Sequence, residues 1–243
     1  LSEYKDFNNR EKYLISNNKK INENSSKDFH KIIVEEKRNS PNYHLTPEAR
    51  FVSSHSKSNQ LILMFGNQTC SRKSIEYWPL KILESHLSFG MSSILFKLFR
   101  EKNGLTYDLG VFNPVRKENA PFLIYFSVSN KNAIIAFELL HKLWKELLFS
   151  LISDSEIYLA KEKLKSSFLI RTQSLDEILQ RNIQLISYGM YPSFEDYDLK
   201  KIEAISPKDI QKSTNKYFAN PFLSISGDKK ICDEIKNKWI KNF

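Results

Sequence analysis

The sequence predicts an α+β fold in which helices pack on one face of a mainly antiparallel sheet, and three observations lead to this. Strand-like and helix-like stretches follow one another in the order ββααββαααααβα, so hairpins and helical runs replace regular βαβ alternation. Hydrophobic residues make up 41% of the 243 positions, including 17 phenylalanines and 11 tyrosines, which is enough for a sizeable core. Only 6 glycines and 8 prolines are present, which favours long helices over many tight turns.

The chain consists of two segments that differ in amino-acid composition. Residues 1–48 are rich in Lys, Asn, Glu and Ser, and Pro41 and Pro47 lie near their end. This composition is typical of an interdomain linker or tail with at most local structure. Residues 49–243 are predicted to form the folded α+β domain.

The first elements of that domain are two strands and a helix. Residues 50–55 and 60–65 have strand character and are separated by a short polar loop. Residues 66–69 follow the second strand, and a helix is predicted over residues 71–87. Pro79 lies inside this helix, so we expect either a kink there or a late helix start.

The remaining elements are mostly helical. Further strands are predicted at residues 105–115, 121–129 and 222–226. Ser206 and Pro207 form a helix start signal, with the serine as N-cap and the proline in the first turn. Helices are predicted at residues 132–149, 153–172, 175–188, 194–204, 207–218 and 229–241.

A helix-to-strand turn in residues 88–107 is the one candidate for chemistry. Apolar residues recur at helical spacing there, and the helix ends on basic residues followed by Gly104. Arg100 and Tyr107 lie seven positions apart on either side of this turn, so both side chains can reach the same point. A purely structural role is the alternative, with Arg100 facing the helix dipole and Tyr107 packing on the sheet.

No metal, phosphate or nucleophile motif occurs elsewhere. No histidine has a second histidine or a glutamate at the spacing of a helical metal site; the five are His30, His44, His55, His86 and His141. Cys70 and Cys232 are far apart and imply neither a disulfide framework nor a cysteine metal site. We therefore expect no cofactor, no metal site and no self-sufficient hydrolytic site in this chain.

The charge and the hydropathy of the chain limit the classes of partner that we expect. The net charge of +9 comes largely from lysines scattered among polar residues, and no nucleic-acid motif accompanies it, so we expect no nucleic-acid binding. No apolar run approaches the roughly 18 residues of a membrane span, so no membrane association is expected. The chain starts at Leu1 without a signal-peptide pattern, which slightly favours the cytoplasm and suggests an excised or processed piece.

The turn also carries a family resemblance. Gly90-Met91-Ser92-Ser93, Leu95-Phe96, the run from Leu98 to Lys102, Gly104-Leu105 and Tyr107 together resemble the second, non-zinc-binding half of the insulinase, pitrilysin and mitochondrial processing peptidase family. The similarity extends over residues 50–228. Two departures are Ile94, where the family often has arginine, and Ser88-Phe89 in place of glycines. The family's inverted zinc motif, His-x-x-Glu-His, occurs nowhere in the chain.

This resemblance implies one domain of a two-half clamshell zinc peptidase. The matching positions make Arg100 and Tyr107 the residues that hydrogen-bond the substrate's backbone carbonyl near the scissile bond. Zinc and the general base would come from a homologous half, in the same parent chain or a separate subunit, so this chain alone is expected to be inactive. The alternative is a non-catalytic scaffold or regulatory subunit of the same fold, which the absence of a zinc motif explains equally well.

Overall fold

The computed structural model describes residues 46–171, 173–191 and 195–242. All of these residues belong to one compact unit, residues 45–243. The predicted linker of residues 1–48 therefore lies almost wholly outside the described residues. The boundary after residue 48 stays a prediction.

A five-stranded sheet forms the centre of the described unit. Its strands are β1 Phe51–His55, β2 Gln60–Gln68, β3 Asp108–Phe112, β4 Pro121–Ser129 and β5 Phe222–Gly227. The spatial order is β1-β5-β2-β4-β3. Pairing is antiparallel between β2 and β4, β2 and β5, and β3 and β4, whereas β1 and β5 run parallel. The predicted mainly antiparallel sheet is confirmed, with one parallel pair that makes it mixed.

The parallel pairing of β1 with β5 arises because β5 inserts between β1 and β2. The strands β1 and β2 are consecutive in sequence but are not neighbours, because β5 lies between them. Phe51 is opposite Leu223 on one side of β5, while Leu63 is opposite Ile225 on the other. The short polar loop after His55 therefore does not close a hairpin.

One face of the sheet is buried and the other is exposed. Alternation along the strands places apolar side chains on the buried face; those of the central strands are Leu61, Leu63, Phe65, Phe122, Ile124, Phe126, Val128, Leu223 and Ile225. On the opposite face, Ile62 and Met64 are 52% and 47% exposed. The helices thus cover a single face, as predicted.

Seven α-helices are described, together with 3₁₀ turns at Glu48–Arg50 and Asn130–Asn132 and a π-helix at Phe96–Glu101. The α-helices are α1 Tyr77–Ser88, α2 Ala133–Phe149, α3 Asp154–Arg171, α4 Leu175–Ser187, α5 Glu195–Ala204, α6 Pro207–Tyr217 and α7 Lys229–Asn242. In this part of the chain no helix is both long enough and apolar enough to cross a membrane.

The helix starts agree with their sequence signals in two places. Helix α1 starts at Tyr77, which is the late start expected from Pro79 and not a kink. Pro79 therefore falls in the first turn, where its missing N–H costs no hydrogen bond. Ser206 caps α6: its hydroxyl accepts from the Asp209 N–H, and the Asp209 carboxylate accepts from the Ser206 N–H.

Tryptophans join the helices to the central strand. The Trp144 ring of α2 lies edge-on to Phe65 of β2, with centroids 4.7 Å apart, and its Nε1 donates to the Phe218 carbonyl at 2.9 Å. Trp239 of α7 contacts Phe65 at 5.8 Å, and its Nε1 donates to the Pro47 carbonyl at 2.7 Å. Each large ring is fully buried with its one donor satisfied.

Gly66 lies inside β2, which continues to Gln68, so the strand end predicted at Phe65 is wrong. The backbone of β4 approaches Gly66 so closely that a Cβ would lie 2.0 Å from the Phe122 carbonyl oxygen. A glycine within a strand often marks such a close approach instead of a turn.

Candidate functional site

The predicted helix of the central turn is a π-helix, Phe96–Glu101. The Lys102 N–H donates to the Lys97 carbonyl at 3.0 Å, the five-residue step that defines this geometry. Phe99 is fully buried, with its ring centroid 5.2 Å from that of Phe126. This anchoring leaves Arg100 exposed at the next position. Single π-helical turns are frequent at functional sites.

The turn after the π-helix is fixed by backbone hydrogen bonds. Gly104 adopts a φ of +56°, a conformation that glycine reaches without strain. Its N–H donates to the Arg100 carbonyl at 3.0 Å, and the Leu105 N–H donates to the Phe99 carbonyl at 2.8 Å. The Asn103 side-chain amide donates to the Leu98 carbonyl at 2.7 Å. The carbonyls at the helix end are therefore satisfied locally.

Thr106 fixes the chain on the other side of Tyr107. The buried Thr106 hydroxyl donates to the Ser127 carbonyl on β4 and accepts from the Asp108 N–H at 3.2 Å. Asp108 begins β3 opposite Ser127. Tyr107 is thus held between two residues tied to the sheet, while its own side chain is 81% exposed.

The structure brings the two predicted site residues together. The guanidinium carbon of Arg100 lies 5.0 Å from the centroid of the Tyr107 ring and 4.8 Å from that of Phe96. Stacking between two aromatic rings orients the guanidinium through cation–π attraction. Within the described part of the chain, neither the Arg100 nor the Tyr107 side chain donates a hydrogen bond to another residue. Both side chains can therefore donate to a ligand.

The histidines do not form a metal centre among the described residues. No group of three His, Cys, Asp or Glu side chains there could hold a metal ion. Burial lowers the pKa of His86, and Lys163 and Lys97 lower it further, while Glu156 opposes them. Burial and the neighbouring Lys145 also lower the pKa of His141. His30 and His44 lie outside the described residues.

Three residues position the pair, and the sequence did not predict this role for any of them. Phe96 stacks on the guanidinium, Asn103 satisfies the end of the π-helix, and Thr106 ties the turn to β4. The available signals were weak ones: an asparagine just before the glycine stop, and a threonine next to the tyrosine. The contacts of Phe96 and Asn103 are local, but they depend on the π-helical geometry, which spacing does not reveal; the Thr106 contact with β4 depends on tertiary structure.

Comparison with solved structures defines the class of fold. A peptidase M16 inactive domain from Pseudomonas fluorescens superposes with a TM-score of 0.67 at 19% identity, covering 74% of this chain and 43% of that one. A protease from Helicobacter pylori gives a TM-score of 0.65 at 18% identity, with coverages of 72% and 43%. A chain of complex III₂ from Candida albicans gives 0.66 at 13% identity, with coverages of 79% and 48%. All three share the α+β fold.

The sequence comparison gives the family. The model of the peptidase M16 inactive domain matches residues 11–164, and the chain belongs to this family. An uncharacterized zinc protease of Rickettsia felis is 30% identical over 137 residues, which are 54% of this chain and 32% of that protein. Another of Rickettsia bellii is 26% identical over 185 residues, 72% and 44% respectively. The chain spans less than half the length of these relatives.

Proposed function

We propose that this chain is the substrate-clamping, non-metal-binding half of a zinc peptidase. The observation that carries the proposal is the exposed Arg100–Tyr107 pair at the turn into β3, in a chain of this family. The pair offers side-chain donors on a backbone that is held by hydrogen bonds.

The chemistry of the two side chains suits an extended peptide. A guanidinium presents several N–H donors in a planar fork, and a phenol presents one O–H. Both would donate to the backbone carbonyl oxygen next to the scissile bond. As that oxygen gains negative charge in the transition state, each donor would stabilise it by about 3 kcal/mol.

The remaining parts of the site would come from a partner. The described residues do not provide a zinc-binding set, and the complete sequence has no His-x-x-Glu-His. We propose that a homologous half supplies the zinc ion and the general base, and that the ion lowers the pKa of a bound water. The relatives described as zinc proteases support this arrangement.

A scaffold or regulatory subunit of the same fold is the second candidate. It needs the fold and a docking surface, but it does not need free donors at Arg100 and Tyr107. The two candidates differ in the neighbouring coding sequence: a zinc-binding half encoded upstream or in an adjacent gene favours the peptidase.

Reconstitution tests the proposal directly. This chain and the half that carries His-x-x-Glu-His are expressed separately and together, and cleavage of an extended fluorogenic peptide is measured. We expect turnover only from the combined halves. Equal turnover by the zinc half alone would contradict a clamping role and leave the scaffold role.

A further inference from the structure

Helix α4, Leu175–Ser187, presents an apolar stripe to solvent. The stripe consists of Leu175, Leu179, Ile183 and Ile186, whose spacing of four, four and three residues places them on one face of the helix. They are 73%, 57%, 65% and 60% exposed, respectively. A helix that packs on its own domain turns its apolar stripe towards the core, so this exposure is unusual.

The domain covers only part of the apolar face of α4. Leu185 is buried, and Ile178 is half-buried. Arg181 lies on the same side, with its guanidinium carbon 4.7 Å from the centroid of the Phe168 ring on α3. Because successive residues of a helix are rotated by about 100°, these positions lie beside the stripe and not beneath it. The stripe therefore remains available to another surface.

The polar residues of α4 favour a protein as that surface. Asp176 and Glu177 are acidic, and Gln180, Gln184 and Ser187 are uncharged. A helix that lies on a membrane carries lysine and arginine on its polar face, where they contact anionic lipids. The exposed polar side of α4 has neither residue type, so a lipid surface is a poor match.

The stripe is complementary to itself. Its four positions are nearly symmetric about residue 181, so two copies of α4 in antiparallel contact would place Leu175 opposite Ile186 of the second copy. The same register places Leu179 opposite Ile183 of the second copy. A two-fold axis makes each of these contacts twice, and every contact joins two apolar side chains.

The charges at the two ends of α4 support the same arrangement. Asp176 and Glu177 are exposed in the first turn. At the other end, the exposed Lys73 has its Nζ 3.5 Å from the position that a Cβ on Gly189 would occupy. Antiparallel helices bring the acidic end of each copy towards Lys73 of the other, whereas parallel helices would bring like charges together. Charge complementarity of this kind fixes the register of an interface.

We propose that α4 docks on α4 of a second copy of this chain, in an antiparallel two-fold contact formed by the stripe. One helix face is small for an interface, so the association is weak, with a dissociation constant on the order of 10 μM. The contact lies on a different helix from the Arg100–Tyr107 turn, and it does not depend on the peptidase role proposed above.

Sedimentation velocity of the full chain, from about 1 μM to about 500 μM, measures the association. We expect a monomer–dimer equilibrium in the wild type. Ile183→Glu should weaken it by about 100-fold, because a carboxylate then faces Leu179 of the second copy. Ile135→Glu is the matched control, since Ile135 is 51% exposed on α2. A wild type that is monomeric at about 500 μM, or equal association of both variants, would overturn the proposal.

Folding does not confound this test. Ile183 is exposed in the single chain, so its replacement by glutamate should leave the free energy of unfolding near that of the wild type at concentrations where both are monomeric. Urea denaturation of the wild type and the two variants checks this. A loss of association without a loss of stability assigns the effect to the stripe.

Disulfide trapping tests the antiparallel orientation. A tagged Leu179→Cys variant is mixed with an untagged Ile183→Cys variant and oxidised with glutathione disulfide, and we expect a mixed covalent dimer. Leu175→Cys alone should not form one, because the two copies of this position would lie roughly 17 Å apart along the helices, too far for a disulfide. Cys70 and Cys232 are buried and do not compete. Covalent dimers of Leu175→Cys without the mixed dimer would contradict the proposal.

The zinc-binding half is the other candidate occupant of the stripe. The wild type and Ile183→Glu are each mixed with the half that carries His-x-x-Glu-His, and their association is measured by sedimentation. Equal association of both chains with that half supports the second copy as the occupant. Loss of this association in Ile183→Glu, with a wild type that is monomeric alone, would overturn the proposal and assign the stripe to the zinc-binding half.

Discussion

Arg100 and Tyr107 contact each other across a helix-to-strand turn, with the guanidinium carbon 5.0 Å from the tyrosine ring centroid. The contact depends on the π-helix, which places Arg100 beside Phe96, and on Gly104, which reverses the chain. Neither side chain is buried, so the contact orients them without removing their donors from solvent. The turn therefore presents two donors of different chemistry at one place.

The buried ion pair between Arg72 and Asp198 is expected to be important for stability. Both side chains are almost fully buried, at 7% and 2% exposure. Arg72→Ala leaves the Asp198 carboxylate without this partner and should lower the free energy of unfolding by about 3–5 kcal/mol. Urea denaturation measures the loss.

The surface ion pair of Lys238 with Glu138 provides the control for that experiment. Lys238→Ala should cost much less than Arg72→Ala, because solvent screens an exposed pair. Similar losses in the two alanine variants would show that burial of the Arg72 pair does not matter.

The close approach of β4 to Gly66 predicts a strong effect of a single methyl group. Gly66→Ala would place a Cβ against a backbone oxygen, which cannot move aside as a side chain can, and should cost more than about 3 kcal/mol. Gly90→Ala is the comparison, because open space surrounds Gly90 and only its φ of +73° is strained, at about 1–2 kcal/mol. Thermal or urea unfolding of both variants checks this, and a smaller loss for Gly66→Ala than for Gly90→Ala would refute it.

The lowered pKa of His86 leads to a prediction of how the free energy of unfolding depends on pH. Its pKa is lowered in the folded chain, so below the ordinary value the unfolded chain binds the proton more readily. The contribution of His86 to the free energy of unfolding is therefore complete above the pKa that His86 has in the unfolded chain. It decreases as pH falls through 6.5 towards the pKa of the folded chain, by at most about 1.4 kcal/mol per pH unit. His86→Gln should flatten the dependence of unfolding free energy on pH between 7.5 and 5.5. An unchanged slope in the variant would assign the effect to other groups, His141 among them.

The metal content of the chain is a further prediction. Because the described residues contain no group of three potential ligands, the purified chain should hold well under one zinc per molecule after dialysis. Inductively coupled plasma mass spectrometry measures this. One tightly held zinc ion per chain would reverse the assignment of the halves.

Local sequence was sufficient for the turn that carries Arg100 and Tyr107. Both residues lie within one short segment, so helix spacing and the glycine stop brought them together without tertiary information. The π geometry was not predictable, because the apolar spacing over these few residues fits an α-helix as well as a π-helix. The buried Phe99, which fixes that geometry, gives the same sequence signal in either case.

The features that depend on long-range contacts could not be predicted from the sequence, and the reason is the same for each of them. The insertion of β5 between β1 and β2 joins segments about 170 residues apart, and alternation alone does not choose a strand's neighbour. The close approach at Gly66 likewise depends on distant chain segments. Residue types in such places become informative only when the tertiary contacts are known.

Peptide turnover by the reconstituted halves tests the clamping role most directly. Arg100→Ala and Tyr107→Phe are compared with the wild type in kcat/KM, with Lys102→Ala, an exposed change in the same turn, as the control. Each site variant should lower kcat/KM by about 100-fold through loss of a transition-state donor, while the control and the unfolding free energies stay near wild type. Unchanged kcat/KM in both site variants would contradict the proposed function.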